Sequence, residues 1–69
     1  MEAGKKIELA LAYCGMKKAD LARAMGISPQ TLQSRLRTGK FTFRELDKIG
    51  EIVGAEFRAS FRFEDGTEV

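Results

Sequence analysis

The sequence predicts a mainly α fold of four short helices followed by a single C-terminal strand. Apolar residues recur at helical spacing in four stretches separated by Gly15, Gly26 and Gly39. Beyond Gly54 the spacing changes to a strict period of two. The chain has 69 residues, enough for one domain and a core too small to be comfortable alone, so self-association is expected. The expected division is a helical body over 1–54 and a dimerisation strand over 55–69.

The first helix is expected from Lys5 to Cys14, where Ile7, Ala10, Leu11 and Cys14 fall at i, i+3, i+4 and i+7 and Gly15 ends the run. Cys14 closes that stripe and is expected as a small, partly buried packing residue, not a reactive thiol. Tyr13 could reach water or an anion through its hydroxyl, but half-buried packing is expected. Met16 leads into a second helix, whose core face is Leu21, Ala22 and Met25. Its first turn carries Lys17 and Lys18, where the helix dipole favours acids, so this start is expected to be frayed or poorly capped. The conflict is resolved if a polyanion lies in front of that helix end, because the free backbone N–H groups there favour the same occupant.

Gly26 can adopt the left-handed conformation that closes the second helix, Ile27 can turn inward and Ser28 can cap the next helix. Pro29 then sits at the first helical position, where its missing N–H costs nothing. The third helix is expected over about 29–37, with Leu32 and Leu36 inward and Gln30, Gln33, Ser34 and Arg37 left pointing elsewhere. Two helices joined by so short a turn form a helix-turn-helix. The fourth helix has a reinforced entry: Thr42 can cap, Glu45 can answer it, and Phe41 can pack against Leu46. Leu46, Ile49 and Val53 line its core face with Ile52 at the side, Gly50 permits close approach of another backbone, and Gly54 terminates it.

In the tail, Phe57, Ala59, Phe61 and Phe63 alternate with Arg58, Ser60 and Arg62, the signature of a strand with one apolar face. Asp65-Gly66 signals a turn, but only Thr67, Glu68 and Val69 follow, too few to return along the whole strand. An unpartnered edge bearing phenylalanines is an aggregation hazard. The expectation is therefore an antiparallel pairing of two copies about a two-fold axis, centred near Ser60 or Phe61, with Phe57, Ala59, Ser60, Phe61 and Phe63 in the interface.

The net charge of +2 conceals an asymmetry. Between Met16 and Arg44 there are seven bases, Lys17, Lys18, Arg23, Arg35, Arg37, Lys40 and Arg44, against Asp20 alone; the rest of the chain has five bases and nine acids. One region is suited to an extended polyanion, and a nucleic-acid backbone is the commonest of these. A single cysteine and no histidine exclude disulfide frameworks, Cys/His zinc sites and histidine-based triads. No metal or cofactor is expected, and no nucleophile has a base nearby, so an enzyme is not expected. Without a membrane-length apolar run or a secretory leader, the expected location is the prokaryotic cytoplasm or nucleoid.

The stretch from Lys17 to Gly39 resembles the Cro/repressor type of helix-turn-helix domain, the lambda-repressor-like or XRE family, and the similarity runs over roughly residues 5–54. Ala22, Gly26, Ile27 and Leu32 stand where that family has its small residue, turn glycine, buried turn residue and buried recognition-helix residue. The resemblance implies Gln30, Gln33 and Ser34 as base-reading residues, with Thr31 and Arg35 on phosphate. Lys18 replaces a frequent phosphate-contacting glutamine and Lys17 a frequent capping hydroxyl. Ser28 is a cap first and a phosphate contact second, and Lys17, Arg37, Lys40 and Arg44 complete the phosphate-binding set. The function so implied is sequence-specific binding of palindromic double-stranded DNA by a small homodimeric transcriptional repressor, the recognition helix of each copy in the major groove.

Two other readings remain open on the residues alone. The Phe-bearing strand could pair with a different chain, making the protein an antitoxin-like or adaptor module. Phe57, Phe61 and Phe63 could instead stack the bases of a single strand, although their one-sided alternation favours packing.

Overall fold

The computed structural model describes residues 3–69, so the first two positions of the expected 1–54 body lie outside it. Four helices form, α1 (Ala3–Cys14), α2 (Lys18–Met25), α3 (Pro29–Thr38) and α4 (Phe43–Val53). α1 and α2 each pack against both α3 and α4. Their shared core consists of Ile7, Leu11, Leu21, Ala22, Leu32, Leu36, Leu46 and Ile49, with Leu21 and Leu32 fully enclosed. Met16, Met25, Ile27, Phe41, Ile52, Val53 and Phe57 pack around its margin.

Local chemistry explains the helix boundaries. Gly26 adopts φ 73° and its N–H closes the second helix, while the Ile27 N–H returns to the Ala22 carbonyl at 3.0 Å. That pair of bonds makes the corner tight. Ser28 caps α3, its Oγ accepting the Thr31 N–H at 3.1 Å. At α4 both halves of a capping box form: the Glu45 N–H donates to Thr42 Oγ1 at 3.1 Å and the Thr42 N–H to Glu45 Oε1 at 2.8 Å.

Three local expectations need correction. The start of α2 is not frayed: the Lys17 N–H donates to Asp20 Oδ2 at 3.3 Å, which is the carboxylate half of a capping box. The lysine ammonium has no acceptor to supply the other half. Cys14 is exposed, its thiol reaching only the Leu11 carbonyl at 3.6 Å. Tyr13 is 94% exposed, so neither residue packs. Both belong to the last turn of α1, beyond the part of its stripe that Ile7 and Leu11 anchor in the core.

Glycine sets two close approaches. Gly50 admits the backbone of the following segment: a Cβ there would lie 2.9 Å from the Ala55 carbonyl oxygen and 3.2 Å from the Phe57 nitrogen. Gly4 does the same for α1 and α3, since a Cβ on it would collide with the Leu36 carbonyl. The first of these was expected from the sequence and the second was not.

No β-strand forms among the described residues; an isolated antiparallel bridge joins Arg62 and Glu68. The residues after Gly66 do not return along the whole of the expected strand, as anticipated, but they do pair with its outer part. Phe61 and Val69 exchange both backbone hydrogen bonds, at 2.7 and 2.9 Å, and the Phe63 N–H donates to the Thr67 carbonyl at 2.8 Å. The loop Glu64-Asp65-Gly66 closes this short hairpin, with Gly66 at φ 90° and Asp65 Oδ1 accepting the Thr67 N–H at 2.9 Å. Phe57 packs against the helical core and meets Phe43, ring centroids 6.3 Å apart. Every residue from Arg58 onward is exposed. The molecule is correspondingly elongated, 43 × 23 × 18 Å, with a radius of gyration of 13.2 Å against about 11 Å for a compact chain of this length.

Candidate nucleic-acid interface

With Leu32 and Leu36 turned into the core, the opposite side of α3 presents Gln30, Thr31, Gln33, Ser34 and Arg37 to solvent. α2 stands beside it, and the two helices meet through side chains: Lys18 Nζ approaches Gln33 Oε1 at 3.5 Å, a long hydrogen bond. The residue at the start of α2 and a residue in the middle of α3 thus form one polar surface. Such a pairing leaves the glutamine amide N–H groups free to donate while the ammonium retains two further donors.

The basic residues divide into free and engaged groups. Lys17, Arg37, Lys40 and Arg44 are exposed and have no ion-pair partner among the described residues. Arg23 pairs with Asp20 at 3.4 Å, an exposed contact one turn apart of small energetic weight.

Arg35 behaves differently. Its guanidinium bonds Glu45 Oε2 at 2.5 Å and reaches the Lys40 carbonyl from both Nε and Nη2, at 3.3 and 3.1 Å. It also lies 4.8 Å over the Phe41 ring. These contacts tie the last turn of α3 to the entry of α4. Thr31 is also partly committed, because its Oγ1 accepts the Ser28 hydroxyl at 2.9 Å.

Glu45 is held to a pKa of about 2 by the Arg35 hydrogen bond first and then by the Thr42 N–H. A carboxylate whose folded pKa is depressed adds stability above its ordinary titration range, and that contribution disappears as pH falls toward the folded value. The difference in melting temperature between the native protein and Glu45→Gln is therefore expected to be constant from pH 7 to about 5. It should narrow between about 4.5 and 2. A difference that stays the same down to pH 2.5 would show that the carboxylate charge contributes nothing here.

Of the sequence-predicted interface, Lys17, Lys18, Gln30, Gln33, Ser34, Arg37, Lys40 and Arg44 are exposed, and the contact across the corner joins Lys18 to Gln33. The tail residues Phe57, Ala59, Ser60, Phe61 and Phe63 belong to a separate region. Sequence reasoning missed the Lys18–Gln33 contact and the Arg35–Glu45 tie. Both join residues from different helices, and the only signal for the second was the capping role of Glu45. Among the described residues no group of three histidine, cysteine or acidic side chains converges to hold a metal, and no helix is long and apolar enough to cross a membrane.

No curated relative and no solved structure matches the chain. A family model does: the Cro/C1-type helix-turn-helix DNA-binding domain matches residues 6–55, which include α2, the Gly26 corner, α3 and all of α4. The chain belongs to the Cro/C1-type helix-turn-helix DNA-binding domain family.

Proposed function

We propose that the protein is a sequence-specific repressor that binds palindromic duplex DNA as a symmetric dimer, with α3 in the major groove. The exposed polar face of α3, carried beside a lysine-bearing helix start and backed by a buried leucine pair, is the observation that supports this most. A helix presenting glutamines can offer a donor and an acceptor together to adenine, and serine can bond several base edges. Gln30, Gln33 and Ser34 are assigned to bases. Lys17, Lys18, Ser28, Thr31, Arg37, Lys40 and Arg44 are assigned to phosphates, which fix register without reading sequence. Arg35 is assigned a different role from the one its charge suggests: it positions α3 against α4 and contributes little direct phosphate contact.

Fluorescence anisotropy against a selected operator and against random duplex checks the assignment. Gln33→Ala is expected to relax preference at one base step by ~1–3 kcal/mol, whereas Lys18→Ala weakens all duplexes alike and lowers the salt slope. Equal losses on every sequence for both variants would remove Gln33 from the reading set.

Dimerisation through the tail supplies the two-fold symmetry that a palindrome requires, with recognition helices about 34 Å apart. A second reading is favoured by the exposure of Phe61 and Phe63, 76% and 56% respectively. In it the tail captures a different protein, as an antitoxin or adaptor does. Sedimentation of the isolated protein separates the two, since a stable homodimer leaves the aromatic face no need of another partner.

A further inference from the structure

We infer that two copies pair antiparallel through residues 58–62 with Ser60 opposite Ser60, and that the partner's Phe63 is thereby delivered to an open apolar groove beside Phe57. This rests on the tail-mediated dimer proposed above and specifies its register and what it covers.

The hairpin itself determines which backbone groups are available. Phe61 turns its N–H and C=O inward to Val69, and Phe63 turns its N–H to Thr67 and its C=O to the Gly66 N–H. By strand alternation, the groups of Arg58, Ser60 and Arg62 face out from the other edge. A two-fold pairing can use only those even-numbered residues. Centring it on Ser60 joins Ser60 to Ser60 and Arg58 to Arg62 twice over, about six backbone hydrogen bonds in all. Centring it on Phe61 joins Ser60 to Arg62 only, about four bonds, because Glu64 is already in the turn. Arg58 then stands opposite the partner's Arg62; Glu56 lies 3.8 Å from Arg58, and Glu68, whose carboxylate accepts the Ser60 hydroxyl at 3.1 Å, is the backbone neighbour of Arg62 across the hairpin.

The Ser60 register has a consequence on the apolar face. Phe57 falls opposite the partner's Phe63, and Ala59 opposite the partner's Phe61. Phe57 forms one wall of a groove of about 430 Å³ between α1, α4 and the segment after Gly54, lined also by Ile7, Ala10 and Val53. None of the described residues fills it, while Phe63 and Phe61 are largely exposed. The groove is bordered by Lys6 and Arg58 against Glu56, and the residues following Phe63 are Glu64 and Asp65, so an acidic hairpin tip arrives at a rim with more base than acid. An aromatic ring seated there removes from water a face that each copy alone leaves wet.

Cysteine cross-linking without DNA tests the register, in a Cys14→Ser background. Facing residues in a hydrogen-bonded antiparallel pair have Cα atoms about 5.5 Å apart, within disulfide reach. Ser60→Cys is expected to give a disulfide-linked dimer with oxidised glutathione, and Phe61→Cys is not; both positions are exposed, so neither substitution threatens the fold. In sedimentation equilibrium Phe63→Ala should weaken the dimer roughly tenfold, while Arg44→Ala leaves it unchanged. Preferential linking at position 61, failure to link at position 60, or a Phe63→Ala dimer of native strength each overturns the inference. DNA is absent from these measurements, so their failure leaves the operator-binding proposal intact, and failure to find an operator leaves them intact in turn.

Discussion

Leu32→Ala is expected to cost ~2–5 kcal/mol and to leave much of the protein unfolded at growth temperature. Leu32 is completely enclosed, and it lies on the helix that carries the proposed reading residues. A domain this small draws only about 3–5 kcal/mol from a single core, so one cavity of that size consumes most of its margin. The effect should appear in urea unfolding followed by circular dichroism as a lowered midpoint with little change in slope. Gln33→Ala, one residue along and exposed, should stay within ~0.5 kcal/mol of the native protein. That contrast separates the inward face of α3 from its outward face by measurement. An unchanged midpoint for Leu32→Ala would mean that α3 is not anchored as described.

A comparably large effect is expected from salt. Lys17, Lys18, Arg37, Lys40 and Arg44 are five exposed bases assigned to the proposed interface, or ten in the proposed dimer. If six to ten of these meet phosphates, raising salt from about 50 to 200 mM should lower affinity by ~10³–10⁵, with log K falling on a slope of about −0.9 per phosphate contact. Arg35 contributes little to that slope, because its guanidinium is occupied by Glu45 and the Lys40 carbonyl. Arg37→Ala should therefore reduce the slope by about one unit for each protomer engaged, and Arg35→Lys should leave it nearly unchanged while lowering the melting temperature. The reverse pattern would return Arg35 to the phosphate set.

The helical body was legible because its determinants are local. Ser28, Pro29, Gly26 and the Thr42/Glu45 pair each act within one turn of chain, and apolar spacing alone singles out Leu21, Leu32, Leu36, Leu46 and Ile49 as core. The start of α2 departs from expectation because Lys17 lacks a capping hydroxyl but Asp20, three residues on, supplies the carboxylate half of the cap. Tyr13 and Cys14 show the limit of a stripe read on one helix, which cannot say how far the neighbouring helices extend. In the tail, three residues after Gly66 are indeed too few to pair with the whole of 57–63, yet they suffice for its outer end.

The exposed face of α3 was legible, and its contacts with neighbouring helices were not. Spacing shows that Gln30, Gln33 and Ser34 avoid the core, but it cannot show that Gln33 meets Lys18 across the corner. By charge alone Arg35 is one more cation for a polyanion. Its partner Glu45 lies on a different helix, where its capping role was the only sequence signal for the tie.

On the proposed function, α3 reads duplex DNA twice per assembly. Selection of bound molecules from a pool of randomised duplexes, followed by sequencing, puts this to the test. The expected result is enrichment of two inverted half-sites with centres about 10–10.5 base pairs apart, lost from the pool when Gln30 and Gln33 are both replaced by alanine. A pool that remains random after successive rounds at moderate salt, or a single half-site enriched equally well by the doubly substituted protein, would contradict it.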